Sequence, residues 1–356
     1  MEAMGTLKVC QSIKGEQVLE MVVTSHSEND ELDEQMNHYF EIRQLRNAHI
    51  HKVWDDPIAL NQFHDTLIKA TVQKAIKKIE SEFGAAPAHF TFFIMGSGGR
   101  SEQSIWSDQD HGIIFKGEEI IKPYFLTLGK EISQGLYEVG YEFCDGRVMS
   151  SNPRWCHSMN TWKEQVINWL DEASWESLRY FSTFFDSKVI IGDDQDLLEL
   201  KEMALEKLKG EPLLLNRLYE NISHIKKGIG ILGQLLPNTK GKETGSINIK
   251  EVIFFPYVNS LRLLSIKEGI LEPSTLARFQ QLPDSYSKIK VYQYSFLRLL
   301  HLRLYYKKNA NSYEDVHFLD IHTLKKSEKH ELKQIMKNGY RLLTETKEII
   351  HKGCSS

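Results

Sequence analysis

The stretch Phe92 to Phe115, FFIMGSGGRSEQSIWSDQDHGIIF, constrains the fold more than any other part of the chain. An apolar run, Phe90-Thr91-Phe92-Phe93-Ile94-Met95, is short, aromatic and β-branched and stops at Gly96, so it predicts a buried strand. Gly96, Gly98 and Gly99 let the backbone come close to a ligand and aim amide donors at it, where a side chain would intrude. Asp108 and Asp110 then stand two apart, just before the apolar run Gly112 to Phe115. If they enter that second strand, both carboxylates project from one face.

Adjacent carboxylates repel, and a divalent cation relieves the repulsion. Mg²⁺ accepts one or two protein carboxylates together with substrate phosphates. A glycine turn alone is usually a turn, and Asp-x-Asp alone is usually a solvated loop or a cap. In the order strand, Gly-Ser, a spacer of roughly ten residues, Asp-x-Asp, strand, they form a compound pattern. Other phosphate loops do not fit. No Gly-Lys-Ser/Thr follows the glycines, and no G-x-G-x-x-G opens a helix.

Gly96-Ser97 with Asp108-Gln109-Asp110 resembles the signature of the nucleotidyltransferase superfamily. More narrowly, Gly96 to Gln103 with Asp108 to His111 is similar to bacterial signal-transduction nucleotidyltransferases related to PII-protein uridylyltransferases. Ser151-Asn152-Pro153-Arg154-Trp155 and Ile247-Asn248-Ile249-Lys250 look like further segments of that family. The resemblance spans most of the chain from about residue 30 onward. It implies an α/β (α+β) nucleotidyltransferase-fold domain and a helical C-terminal domain. It also implies two Mg²⁺ ions, a nucleoside triphosphate as donor, and an acceptor hydroxyl on a signal-transduction protein or a small molecule.

The superfamily uses a third carboxylate from a neighbouring strand. Asp186 lies in an aromatic and β-branched run, Arg179 to Gly192, where an unpaired ionised carboxylate is costly. It is therefore the expected third metal ligand and a possible base, with a paired acid or a turn residue as the plainer reading. Asp145 competes with it, although Asp145-Gly146 reads as a turn. By the same resemblance, Gly96, Ser97 and Gly98 would hold phosphates and Arg100 would neutralise them. The alternatives are a hydroxyl-stabilised turn for Ser97 and an ion pair with Glu102 for Arg100. Lys250 is a candidate phosphate contact, or a helix-start lysine reaching solvent. Gln109 and His111 should face away from the carboxylates and support them.

Length and charge agree with such an enzyme. A chain of 356 residues suggests two or three domains, and we expect boundaries at 1–87 (helical lead-in), 88–200 (catalytic) and 201–356 (helical, substrate-binding-like). A net charge of -4 argues against a dedicated nucleic-acid binder. Cys10, Cys144, Cys156 and Cys354 show no C-x-x-C pairing, so reduced thiols and a cytoplasmic setting are expected. No apolar run approaches the length of a membrane span, and the start of the chain lacks a leader pattern. His49, His51, His64 and Asp65 include the His-Asp doublet of metal-dependent phosphohydrolases without its further ligands, which places these histidines on helix surfaces. Beyond residue 200, apolar spacing predicts helices over 197–208, 213–234, 249–268, 273–281, 289–306 and 324–351, arranged as an antiparallel bundle. A nucleotide-sensing module without turnover, or a small-molecule nucleotidyltransferase of the antibiotic-modifying type, would use the same site.

Overall fold

A computed structural model describes residues 39–353 apart from 224, 242 and 311. The weakly alternating segment before residue 30, Cys10 and Cys354 lie outside the described residues. Two helices come first, α1 (Phe40–Val53) and α2 (Pro57–Phe83), the second capped by the Asp56 carboxylate, which accepts from the Ile58 and Ala59 amides. A strand-bearing region follows with β1 (Phe90–Ile94), the short turn α3 (Gly96–Gly99), β2 (His111–Phe115), α4 (Lys122–Val139), β3 (Cys156–Ser158), α5 (Met159–Glu172), α6 (Trp175–Phe185), β4 (Lys188–Ile191) and α7 (Asp194–Gly210). The strands form one mixed sheet in the order β3-β2-β1-β4. β1 is antiparallel to β2 and β4, and β2 is parallel to β3.

The continuous apolar runs are explained by helices on both faces of the sheet. Phe92, Ile94, Ile113 and Phe115 join a core with α1, α2 and α4, whereas Phe93, Met95 and Ile114 face α5, α6 and α7. A strand of period two with both faces covered has no polar position to spare. The helices of residues 39–83 are thus one wall of the sheet rather than an appendage, and the expected boundary at residue 200 falls inside α7.

The stretch around Asp186 differs from the strand expected there. Residues 175–185 are helical, opened by a Ser174–Ser177 capping box, and the strand begins only at Lys188. Leu178, Phe181, Phe184 and Phe185 recur at helical spacing, and their burial against α5 decided the conformation over their β-propensity.

The C-terminal region contains α8 (Pro212–Ile222), β5 (Ser246–Asn248), a π-helical turn (Lys250–Phe254) running into α9 (Phe255–Glu268), α10 (Thr275–Gln281), α11 (Ser287–Lys290), α12 (Gln293–Lys307), β6 (Phe318–Asp320) and α13 (Lys326–Gly353). α9 is its centre, buried from Tyr257 to Ile266 on nearly every side. Two expectations fail here. The helix predicted to run to Gln234 stops at Ile222, before Gly228, Gly230 and Gly233 break the spacing, and β5 pairs with β6 in a small antiparallel sheet. Among the described residues no helix is long and apolar enough to cross a membrane.

Phe93 joins the sheet to the helices behind it, with ring centroids 5.7 Å from Trp162 and 6.3 Å from Phe184. Phe93→Ala should therefore cost about 3–5 kcal/mol of stability, read as a lowered urea midpoint with an unchanged slope.

Candidate functional site

The end of β1 and the approach to β2 are tied together by the Met95 amide, which donates to the Asp110 carbonyl at 2.8 Å. Between them the chain makes the turn α3. Gly96 sits at φ +57°, and a Cβ there would lie 2.2 Å from the Asp110 carboxylate. Glycine is required on both counts. At Gly99 a Cβ would lie 1.8 Å from the Asp186 carbonyl oxygen, so that backbone approach also demands glycine. The Gly99 amide donates to the Met95 carbonyl at 2.9 Å, which leaves the Gly96, Ser97 and Gly98 amides ahead of the first intrahelical bond. Ser97 and Gly98 line the same small hollow as Asp108 and Asp110.

The loop from Arg100 to Asp110 is held by buried polar side chains of the N-terminal helices. The Asn61 carboxamide accepts from the Gln103 amide (2.8 Å), His64 Nε2 lies 2.9 Å from the Ser104 carbonyl, and Arg46 donates to the Ile105 carbonyl (2.8 Å) and lies over Trp106. His64 is therefore not on a helix surface. It is fully buried, its other nitrogen meets the Tyr141 hydroxyl at 2.8 Å, and burial holds it neutral with a pKa near 3. A loop whose backbone would otherwise be unpaired needs such donors and acceptors. Gln109 and His111 face inward, as expected: Gln109 donates to the Ser133 and Tyr141 carbonyls, and His111 pairs with Gln109 and accepts from the Ser150 amide.

These contacts deliver Asp108 and Asp110, both half-buried, next to Cys144, so that one ligand atom from each lies within 4.8 Å of the others. The segment from Tyr141 to Val148 reaches them because it runs alongside the loop. The Gln109 amide donates to the Glu142 carbonyl, the Glu142 amide to that of Ser107, and the His111 amide to that of Val148. Burial, then the neighbouring charge of Asp108, raises the Asp110 pKa to about 7, while hydrogen bonding to Cys144 and the charge of Lys250 oppose the shift. Burial, followed by Asp110, pushes the Cys144 thiol well above its ordinary value. A carboxyl pair held at such electrostatic cost, with a third donor at hand, fits one divalent cation.

The helical region closes over this face. Lys250 starts the π-helical turn, and burial, then the charge of Asp108, pushes the Tyr313 phenol well above its ordinary value. Arg303 of α12 donates to the Glu102 carbonyl at 2.8 Å, and Trp106 to the Ala310 carbonyl at 2.7 Å. Cys144 and Tyr313 escaped the sequence reading. The motif Phe143-Cys144-Asp145-Gly146 had pointed to the right segment, but the exposed Asp145 is not the residue that reaches the pair.

Asp186 does not join that cluster among the described residues. Its carboxylate is completely buried between three guanidinium groups: Arg100 at 2.8 Å, Arg278 at 2.8 Å, and Arg262, whose Nε lies 3.0 Å from Oδ1 and whose Nη2 contacts Oδ2. Burial alone would raise its pKa, but Arg262, Arg278 and Arg100 hold it far below the carboxylate range. This is the paired-acid reading of Asp186: its carboxylate faces arginines and stands apart from Asp108 and Asp110. Arg100 makes the ion pair weighed for it, and a second one. It pairs with Glu102 at 2.7 Å and with Asp186, and it remains partly exposed beside the glycine turn.

Two family models match the chain. The one described as "Putative nucleotidyltransferase DUF294" covers residues 42–176, and the one described as "Putative nucleotidyltransferase substrate binding domain" covers residues 212–348. No curated protein matches it.

Because a cation competes with the Asp110 proton, Mn²⁺ affinity measured by calorimetry should fall about tenfold per pH unit below pH 7 and level off above it. Asp186→Asn should cost about 3–5 kcal/mol of stability by stranding buried arginines, yet leave the Mn²⁺ affinity of the folded protein within about twofold of wild type. A loss of Mn²⁺ binding in folded Asp186→Asn equal to that in Asp108→Asn would restore Asp186 as a ligand.

Proposed function

The chain belongs to the nucleotidyltransferase family that those two models describe, and from that premise we propose that it transfers a nucleoside monophosphate from an NTP to an acceptor hydroxyl. The acceptor in this reading is a hydroxyl of a protein or small molecule, as in PII-uridylyltransferase-like enzymes. The observation that carries the proposal is the closeness of the acidic pair to the glycine turn, since the Gly96 Cα faces the Asp110 carboxylate across a gap that no Cβ could enter.

Each residue has a role that follows from its position. The amides of Gly96, Ser97 and Gly98 would take the β- and γ-phosphates, with Arg100 as a fork for phosphate oxygens and Lys250 as a second positive charge from the opposite wall. Asp108 and Asp110 would hold the cation, Mg²⁺ in this proposal, with the Cys144 thiol beside them. When bound, that ion neutralises triphosphate charge and lowers the pKa of the attacking hydroxyl. Asp108 would take the proton released on attack at the α-phosphorus. Residues 88–200 carry this chemistry, the helices of 39–83 brace the loop, and the region from 201 closes the cleft around the acceptor.

One observation favours a second reading. With Asp186 bound by arginines, two carboxylates remain at the site among the described residues, which also suits a module that senses nucleotide without turning it over. Asp108→Ala combined with Asp110→Ala should lower Mg²⁺-dependent affinity for the preferred NTP at least tenfold by calorimetry, with an unchanged circular-dichroism spectrum; unchanged affinity would dispose of the site assignment. Wild-type protein that binds an NTP but releases no pyrophosphate with any acceptor in cell extract would support the sensing module instead.

A further inference from the structure

We propose that the cleft between α12, α13 and the turn joining α1 to α2 is a binding site for a linear aliphatic polyamine. The cleft has a volume of about 430 Å³ and shares no lining residue with the hollow around Asp108 and Asp110.

Three walls meet there, and each brings rings or acceptors. Trp54 and the exposed Asp55 come from the turn after α1, Tyr305 and Tyr306 from the end of α12, and Glu328 and Glu331 from the start of α13. The rings already receive a cation. The ammonium of Lys308, an exposed residue just past α12, lies 5.7 Å from the Trp54 ring centroid and 5.0 Å from that of Tyr305. Aromatic faces attract such a charge through their quadrupole. Tyr306, whose ring centroid is 5.5 Å from that of Tyr305, has a buried hydroxyl without a hydrogen-bond partner. An unpaired buried phenol is costly, and an ammonium group, with three donors and no acceptor, would satisfy it.

Charge selects the ligand. Glu331 holds Arg298, the guanidinium of the lining, through Nε at 2.9 Å and Nη2 at 2.8 Å. Among the described residues Asp55 and Glu328 have no ion-pair partner; the Glu328 carboxylate accepts from the Lys325 amide of its own helix start at 2.7 Å. A nucleotide could stack on the rings, but its phosphates would meet these carboxylates and a guanidinium already engaged. A single divalent ion does not fit either, because the three carboxylates do not converge as the ligand atoms of Asp108, Asp110 and Cys144 do. The matching ligand is a cation with charges spread along a chain, its methylenes against the rings and its ammonium groups at separate carboxylates.

The test is calorimetry of the purified full chain with spermidine in Mg²⁺-free buffer. The expected result is one spermidine per chain, bound about tenfold more weakly by Asp55→Asn combined with Glu328→Gln, at an unchanged melting temperature. Lys308→Met, which takes the chain's own cation off the rings, should bind about threefold more tightly. Asp108→Ala combined with Asp110→Ala should leave the affinity within about twofold of wild type. A loss there equal to that in Asp55→Asn with Glu328→Gln would put spermidine at the acidic pair and overturn the proposal. So would wild-type protein that binds no spermidine, Asp55→Asn with Glu328→Gln binding as tightly as wild type, or uncharged octanediol binding as well as spermidine. Tetralysine that binds more tightly than spermidine would overturn the choice of a small polyamine in favour of a lysine-bearing partner.

Discussion

One buried carboxylate organises the molecule. Asp186 sits at the end of α6 with no exposure to solvent, and it meets a guanidinium from the loop after the glycine turn, one from α9 and one from α10. The sheet-bearing region and the helical region thereby both reach one anion. Removing it would strand three cations in an apolar interior, whereas the intact cluster exchanges their desolvation for short charge-assisted hydrogen bonds. The cluster is still rich in positive charge. Arg278 keeps a buried Nη2 without a partner, and the buried Lys201 of α7, which donates to the Ser187 carbonyl, is pushed down to about 7, first by burial and then by Arg278. Those are the marks of an interior arranged for geometry more than for stability.

The consequence for the site is that Arg100 cannot swing freely. Glu102 and Asp186 hold its fork while leaving part of it open beside Gly96–Gly99, so the phosphate contact proposed for Arg100 and the joint between the two regions share a residue. The same loop is gripped from the other side by Arg46, Asn61 and His64. The acidic pair is therefore suspended between two rigid supports. This allows Asp110 to tolerate a neighbouring charge that in a mobile loop would push the two carboxylates apart.

Much of this was legible in the residues and some was not. The strand before Gly96, the demand for glycine there, the acidic pair and the inward turn of Gln109 and His111 all follow from period-two alternation and local sterics, which act over a few residues. His64 departs from the expected helix surface because a histidine on an amphipathic helix has no local sign of the carbonyl it will meet forty residues away. Cys144 was passed over because a lone cysteine without a pairing pattern carries no ligand signal; only the parallel run of 141–148 beside 107–111 makes it a neighbour of the aspartates.

Asp186 shows where the division lies. The sequence by itself determined that a carboxylate would stand in an apolar setting and need cations, because the cost of burying an ion depends only on its surroundings. It also determined the turn and the acidic pair, whose residues are close along the chain. Only the tertiary structure decided which cations answer Asp186. Arg262 and Arg278 lie 76 and 92 residues away, and long-range packing of helices whose apolar faces fit more than one neighbour brought them there in place of a metal.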